Sequence, residues 1–215
     1  MSSPMKAAIV PTDRLTTRLA DAALVCFAVF ALGIALMHLL RPDYDVSSHM
    51  VSDYAVGPWG GVMTTAFAGA SLGCLMLALG IVRSRPGSVA GWLAAALFAI
   101  ASVGLAVTAV CPTDLPGAPA TAVGGIHDMS FLVNITSIVL AALLTAVVAL
   151  RDARWRANRV PGVVLALLLV VAVAVQFKTL HRGMPYGIAN RVVIAVMMAW
   201  LVVTAWRLRR LGRPQ

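Results

Sequence analysis

The sequence predicts an all-α integral membrane bundle of six transmembrane helices with both termini cytoplasmic. Of the 215 residues 60% are hydrophobic and only 12% are charged, and long uncharged runs alternate with short basic clusters. An ordinary soluble domain is about half apolar and a quarter charged, so a soluble globular domain is excluded. The formal charge of +9 suggests nucleic acid as a partner. We expect none, because the basic residues do not lie on one polar face.

Six apolar segments have the length that a membrane span requires. About 20 residues at about 1.5 Å per residue cross roughly 30 Å of hydrocarbon. We predict a single membrane domain over residues 1–215, with helices at 22–40, 59–82, 89–110, 129–150, 161–177 and 188–206 and tails at 1–19 and 207–215. The strands of a membrane barrel alternate apolar and polar residues over about ten positions, which these segments do not.

The first three segments are interpreted as ordinary membrane helices. The first is too long for the apolar part of a signal peptide and has no small-residue cleavage site before RPDYD. In the next two, small residues recur every four positions, which predicts close backbone packing within one bundle. They are Gly61, Thr65, Gly69 and Gly73, then Gly87, Gly91, Ala95 and Ala99. A homo-oligomer is compatible with these stripes but is not indicated by them.

The fourth segment carries a polar seam. At about 100° per residue its polar side chains fall within an arc of about 80°. They are His127, Ser130, Asn134, Ser137 and Thr145. Because polar groups facing lipid are costly, this seam must face the bundle interior or a water-filled cavity. It is either a set of interhelical hydrogen bonds or the wall of a pocket that opens outward.

The loop before the fourth helix and the start of the sixth helix add further candidates. The segment CPTDLPGAPATAVGGIHD has three prolines and three glycines and is expected to form a loop bracketed by Asp114 and His127. Arg191 precedes a charge-free stretch of 15 residues, which is too short to span, so Arg191 is expected about a turn below the interface. An intramembrane charge needs a partner, and Asp53 or Asp114 is the candidate. The alternative is that Arg191 extends to the interface or locks two loops by an ion pair.

The distribution of basic residues predicts the orientation. With the amino terminus inside, thirteen of the 17 basic residues, among them Lys6, lie on the cytoplasmic side. The four others are Arg41, Lys178, Arg182 and Arg191. All four histidines then lie at the outer end: His38, His49, His127 and His181. The richness in Ala, Val and Arg resembles high-GC bacterial proteins, so we expect a multi-pass protein of the bacterial plasma (inner) membrane.

Two kinds of site are compatible with the outer end. Zinc binds imidazole nitrogen and carboxylate oxygen, and the candidate ligands are His49, His127, His181 and Asp114. No H-E-x-x-H motif supports them, and a solvated loop is the alternative. The candidates for a ligand-binding pocket are Ser52, Asp53, Asp114, His127, Ser130, Asn134 and Arg191.

Three segments resemble a known family. VSDYAVGPWGGVM, CPTD followed by GGIHD, and GIANRVVIAVMMAW are similar to the bacterial six-helix membrane family named domain of unknown function 998. The resemblance covers nearly the whole chain and implies a membrane location and fold, but no substrate. Its motif positions here are Ser52, Gly57, Asp114, His127 and Arg191. Asn190 departs from the pattern, in which an acid precedes the arginine, so an ion pair between these neighbours is in doubt.

Three functions remain open at this stage. The first is a membrane protein that binds a lipid head group or small ligand, with Arg191 receiving an anionic head and membrane lipids as partners. The alternative is a metal-dependent membrane hydrolase acting on a lipid-like substrate. A transporter or channel is third, because no inverted repeat or broken helix is visible. The catalytic residues, if any, are unknown, and zinc is the candidate cofactor.

Overall fold

A computed structural model of the chain describes residues 13–181 and 183–213. These contain six long helices, two short 3-10 helices and no strand. The long helices are α1 (Arg14–Leu40), α2 (Gly60–Arg83), α3 (Val89–Val110), α4 (Ala122–Arg151), α5 (Arg159–Thr179) and α6 (Tyr186–Leu211), and the 3-10 helices are Val51–Ala55 and Ala153–Asn158. All six are long and apolar enough to cross a membrane, which confirms the fold class. Lys6, Arg182 and the outer parts of both predicted tails lie outside the described residues.

The six helices close into a ring. Each helix packs on the next along the chain, and α6 packs on α1. The short connections make neighbouring helices antiparallel, so the start of α1 and the end of α6 meet at one end of the bundle. There Asp21 and Arg209 form an ion pair. We call the opposite end, which carries all four histidines, the histidine end. The side of the membrane that it faces stays a prediction.

Small residues let α1 and α2 approach closely. A Cβ on Gly69 would lie 3.1 Å from the Cys26 carbonyl oxygen, and one on Gly73 would overlap the Phe27 ring. These glycines therefore face α1, as expected for close packing within one bundle.

The start of α1 lies before the predicted residue 22. Asp13 caps the helix: its Oδ1 accepts from the Thr16 N–H over 3.4 Å, and its Oδ2 accepts from the Thr16 hydroxyl over 2.7 Å. Such a cap satisfies a backbone donor of the first turn, which allows a polar turn to precede the apolar span.

The start of α4 also corrects the prediction. Thr121 caps the helix by accepting from the Gly124 N–H over 3.0 Å, and α4 begins at Ala122 instead of residue 129. The GGIHD part of the predicted loop is therefore helical. Glycine is tolerated here because a cap, and not helix propensity, satisfies the backbone of the first turn.

Candidate functional site

Arg191 of α6 holds the loop between α1 and α2. Its Nε donates to Nε2 of His38 over 2.8 Å, and its Nη2 donates to the Tyr54 hydroxyl over 3.2 Å. Nδ1 of His38 lies 2.8 Å from the Ile34 carbonyl oxygen. Because Nε2 accepts from the guanidinium, these bonds assign the proton of a neutral ring to Nδ1, which donates to that carbonyl.

The remaining terminal nitrogen of Arg191 binds backbone. Nη1 donates to the carbonyl oxygens of Val46, His49 and Gly187 over 3.1, 2.7 and 3.0 Å. Loop carbonyls that lack a partner within regular secondary structure need such donors, and a guanidinium offers five N–H groups in a fixed fork. We call Arg191 with its two side-chain and three carbonyl partners the arginine latch.

The predicted acidic partner of Arg191 is not found. Among the described residues no ion pair joins Arg191 to an aspartate, so the pairing with Asp53 or Asp114 is wrong. The guanidinium is instead satisfied by neutral acceptors, which holds two segments together without an ion pair. Its role is therefore closer to that of a residue that joins two segments than to that of a residue that binds an anionic head group.

The first turn of α6 makes two further bonds to the same loop. The Gly187 N–H donates to the Ser47 carbonyl over 2.9 Å, and Oδ1 of Asn190 accepts from the Val51 N–H over 3.0 Å. A Cβ on Gly187 would lie 2.5 Å from two carbonyl oxygens of the loop, so the close approach requires glycine. The GIANR segment is thus the α6 side of a loop attachment, and Asn190 takes part where an acid was expected.

The CPTD and GGIHD segments bind each other. Oδ2 of Asp114 accepts from the Thr121 N–H over 2.8 Å, and Oδ1 accepts from the Thr121 hydroxyl over 2.9 Å. A Cβ on Gly124 would overlap the Asp114 carboxylate. On the next turn, Nδ1 of His127 lies 2.7 Å from the Cys111 carbonyl oxygen at the end of α3. Asp114 therefore organises the start of α4, where a negative charge also suits the helix dipole.

The polar seam of α4 faces the bundle interior, as predicted. All five of its side chains are buried. Ser130 Oγ donates to the His127 carbonyl over 2.7 Å and lies 2.8 Å from the Thr108 hydroxyl of α3. Nδ2 of Asn134 donates to the same hydroxyl over 3.3 Å. Part of the seam is therefore a hydrogen-bond network between α3 and α4.

A cavity of about 360 Å³ lies inside the ring at the histidine end. We call it the ring cavity. Its wall comes from all six helices and is mostly apolar, and its volume lies in the range of small-molecule pockets, about 300–1,000 Å³. The polar side chains that line it are Ser52, Thr108, Thr113, His127, Asp128, Asn134 and Asn190.

Three polar groups of the ring cavity have unused hydrogen-bonding atoms. His127 is 3% exposed, and Asn134 and Asn190 are each 6% exposed. With Nδ1 of His127 donating to Cys111, its Nε2 is an acceptor. In the described part of the chain nothing bonds to this Nε2, to Oδ1 of Asn134 or to Nδ2 of Asn190. The three residues are buried, but these atoms face the open space of the cavity, where they are available for hydrogen bonding.

A second cavity, of about 290 Å³, adjoins the first and shares Met50, Thr113, Asp128 and Leu180 with it. We call it the mouth cavity. Three carboxylates line it, from Asp53, Asp114 and Asp128, together with the exposed imidazole of His181. The two cavities therefore form one site with an apolar interior and an acidic mouth.

Asp53 is the buried carboxylate of this mouth. It lies in the 3-10 helix, is 4% exposed, and accepts from the Met50 N–H over 3.0 Å through Oδ2. Burial raises the pKa of Asp53 to about 6, and the Met50 hydrogen bond and the charges of His49 and Arg191 offset this only in part. Desolvation thus dominates, because a charged group in a poorly solvated place favours its neutral form.

The predicted zinc ligands do not come together. His127 and Asp114 are engaged in the α3–α4 attachment, and the His49 ring stacks on Tyr44 with centroids 4.4 Å apart. His181 lies exposed at the mouth. Over residues 13–181 and 183–213, no three His, Cys, Asp or Glu side chains are grouped as a metal site would require. The proposed ligand set for zinc therefore does not fit.

The other candidates divide between two roles. Ser52, His127 and Asn134 line the ring cavity, and Asp53 and Asp114 line the mouth cavity. Ser130 is buried beside them in the α3–α4 network, whereas Arg191 belongs to the latch and lines neither cavity.

Sequence reasoning missed Thr108, Thr113, Asp128 and Asn190 as lining residues. Asp128 adjoins His127, and Asn190 adjoins Arg191, so the neighbours of the motif positions were an available signal. Thr108 gave none, since a threonine in an apolar helix is common.

No curated protein and no solved structure shows significant similarity to the chain. The family model described as "Protein of unknown function (DUF998)" matches residues 24–207. These residues include α2 to α5, most of α1 and α6, the loop held by Arg191, the Asp114–Gly124 attachment and the residues that line both cavities. The chain therefore belongs to the DUF998 family.

Proposed function

We propose that this multi-pass membrane protein binds a small amphiphile, with the apolar part of the ligand in the ring cavity and its polar head at the histidine end. The observation that carries the proposal is the ring cavity itself: an apolar wall built by six helices, with cavity-facing polar atoms on His127, Asn134 and Asn190 that no described residue bonds.

The polar atoms give the cavity its preference. Lipid tails are as apolar as the cavity wall, so moving a tail from the bilayer into the ring gains little hydrophobic free energy. A polar head that bonds to the cavity-facing atoms of His127, Asn134 and Asn190 gains more, because each hydrogen bond contributes about 0.5–1.5 kcal/mol. The site therefore suits a molecule with an apolar chain and a hydrogen-bonding head.

The bilayer is the natural source of such a ligand. If the histidine end faces outward, as the basic residues predict, the head lies at the level of the outer leaflet. We propose the plasma membrane of a bacterium as the location and membrane lipids as the surroundings of the protein. The donor groups do not favour metal-dependent hydrolysis, because among the described residues no three of the candidate ligands are grouped as a metal site requires.

A photo-crosslinking experiment tests the proposal. The full chain is reconstituted in phosphatidylcholine nanodiscs and labelled with a long-chain alcohol that carries a diazirine on its chain. We expect saturable labelling of α4 and α6 peptides that line the ring cavity, and competition by unlabelled dodecanol. Val193→Phe should reduce this labelling at least severalfold, because Val193 is buried and lines the cavity.

Val192→Phe is the matched control, since Val192 is the neighbouring residue and is 48% exposed. It should label like the unmodified protein, and size-exclusion chromatography reports whether both variants remain folded. Labelling that does not saturate, or that Val193→Phe and Val192→Phe leave equally unchanged, would refute binding in the ring cavity.

A further inference from the structure

We infer that the head group of the ligand carries a protonated amine, which lies in the mouth cavity lined by Asp53 and Asp128. The inference rests on the proposed function and names the class of amphiphile that the site would take. It follows from the charges at the mouth, from the neighbouring cations that are already paired, and from the uncharged polar groups deeper in the ring.

The mouth is acidic and its carboxylates have free acceptors. Asp128 is exposed, lines both cavities and receives no hydrogen bond from the described residues. Asp53 is almost fully buried, and among the described residues only its Oδ2 has a partner, which leaves Oδ1 unbonded by them. Asp114 adds a third negative charge, although both of its oxygens bind Thr121. The exposed His181 offsets at most one of these charges.

Two arginines of the histidine end are already bonded and are unavailable to an anionic head. Arg191 is committed to the arginine latch through all three of its nitrogens. Arg41 pairs with Asp43 over 2.8 Å and donates to the Val56 carbonyl over 3.0 Å. Neither cavity is lined by a lysine or arginine that the structure describes. A phosphate or carboxylate head would therefore meet acidic side chains, and none of the lysines and arginines that the structure describes lines either cavity to receive it.

The interior favours the same class of head. Nε2 of His127 and Oδ1 of Asn134 are acceptors without donors, whereas Nδ2 of Asn190 is a donor. An ammonium group in the mouth cavity donates up to three hydrogen bonds and is attracted by the mouth carboxylates. A neighbouring hydroxyl on the ligand lies toward the ring cavity, where it can donate to Nε2 of His127 or accept from Nδ2 of Asn190. A cationic or amino-alcohol amphiphile thus satisfies more of the site than a fatty acid does.

Competition between three probes of equal chain length tests the inference. Dodecylamine, dodecanol and dodecanoate compete with the diazirine alcohol in phosphatidylcholine nanodiscs at neutral pH. We expect dodecylamine to compete about tenfold or more better than dodecanol, the gain of one hydrogen bond to a charged group, and dodecanoate to compete least.

Variants of the two carboxylates separate the contribution of the amine to binding from that of the apolar tail. In Asp53→Asn and in Asp128→Asn the ratio of amine to alcohol affinity should fall toward one. Asp128 is exposed and unbonded, so its variant tests the inference even where Asp53→Asn fails to fold. Asp45→Asn is the matched control: Asp45 is an exposed carboxylate of the α1–α2 loop that lines neither cavity, and its variant should keep the ratio.

The outcomes distinguish the two proposals. If no probe displaces a saturable label, binding in the ring cavity is refuted and this inference with it. If dodecanol competes but dodecylamine competes no better, only the inference of an amine head group is refuted. The same holds if dodecanoate competes as well as dodecylamine. An amine preference that survives Asp53→Asn combined with Asp128→Asn would also overturn the assignment to these two carboxylates.

Discussion

Replacing Arg191 by lysine tests whether the arginine latch holds the loop between α1 and α2. Lysine keeps the charge, so the substitution removes the fork of donors and not the electrostatics. A single ammonium group cannot reach the His38 ring, the Tyr54 hydroxyl and the loop carbonyls together, because these acceptors surround three separate nitrogens.

The expected loss follows from the number of broken bonds. At least two of the five hydrogen bonds are lost, and a bond from a charged group contributes about 1.5–3 kcal/mol. Arg191 is only partly buried, so we use the lower value and expect the free energy of unfolding to fall by about 3 kcal/mol. For a chain of this size the melting temperature should fall by roughly 6 °C or more.

Two measurements on detergent-purified protein check this expectation. Thermal unfolding reports the stability of the protein. Limited digestion with chymotrypsin reports whether the loop is held in place, since Tyr54 is 1% exposed in the structure and its hydroxyl accepts from Arg191. Arg191→Lys should be cut faster at this tyrosine. Arg151→Lys is the matched control, because Arg151 is exposed at the other end of the bundle.

An unchanged melting temperature and an unchanged digestion rate in Arg191→Lys would refute the latch. If Arg191 instead served an anionic head group, Arg191→Gln would lose co-purified anionic lipid and the loop would stay protected. A latch residue thus loses stability and loop protection when it is replaced, whereas a lipid-binding residue loses the co-purified lipid.

Two further predictions concern the attachment at α4 and the buried carboxylate. Gly124→Ala should lower the free energy of unfolding by about 1–3 kcal/mol, because the added methyl group would overlap the Asp114 carboxylate. Gly125→Ala is the control: a methyl group there meets open space, so this variant should be neutral or slightly stabilised in the same thermal assay. A raised folded-state pKa, from 3.8 to about 6, means that ionised Asp53 destabilises the fold. This cost is absent below the lower pKa, grows as the pH rises toward about 6, and reaches about 3 kcal/mol above it. The melting temperature measured at several pH values should fall between about pH 4 and 6 in the unmodified protein, and Asp53→Asn should remove this fall. An equal fall in both proteins would contradict the prediction.

The number of helices could be predicted because the thickness of the bilayer imposes it. Each apolar segment had to be long enough to cross, and each did form a helix. The first residues of α1 and α4 could not be placed from hydropathy, because N-caps at Asp13 and Thr121 determine where these helices begin. Such caps involve one side chain and one backbone N–H, and they leave no mark on the apolar pattern.

The polar seam was predictable for a different reason. Helical periodicity alone places His127 and Asn134 on one side of α4, and the cost of polar groups in lipid turns that side inward. The partners of Arg191 were not predictable, since carbonyl oxygens of a distant loop carry no signature of residue type. Charge pointed to an aspartate, but a guanidinium is satisfied by carbonyls as well.

Residue type alone does not separate the polar groups that build the histidine end from those that are left for a ligand. Arg191 and Asp114 were the strongest candidates by charge, yet their hydrogen-bonding atoms are used up in holding loops to helices. His127 has one nitrogen in each role. Among the described residues, the carboxylate of Asp128 and Oδ1 of Asp53 receive no hydrogen bond. The proposed cationic head group therefore rests on carboxylate oxygens that the fold leaves unused, and not on the charged residues that it has already bonded.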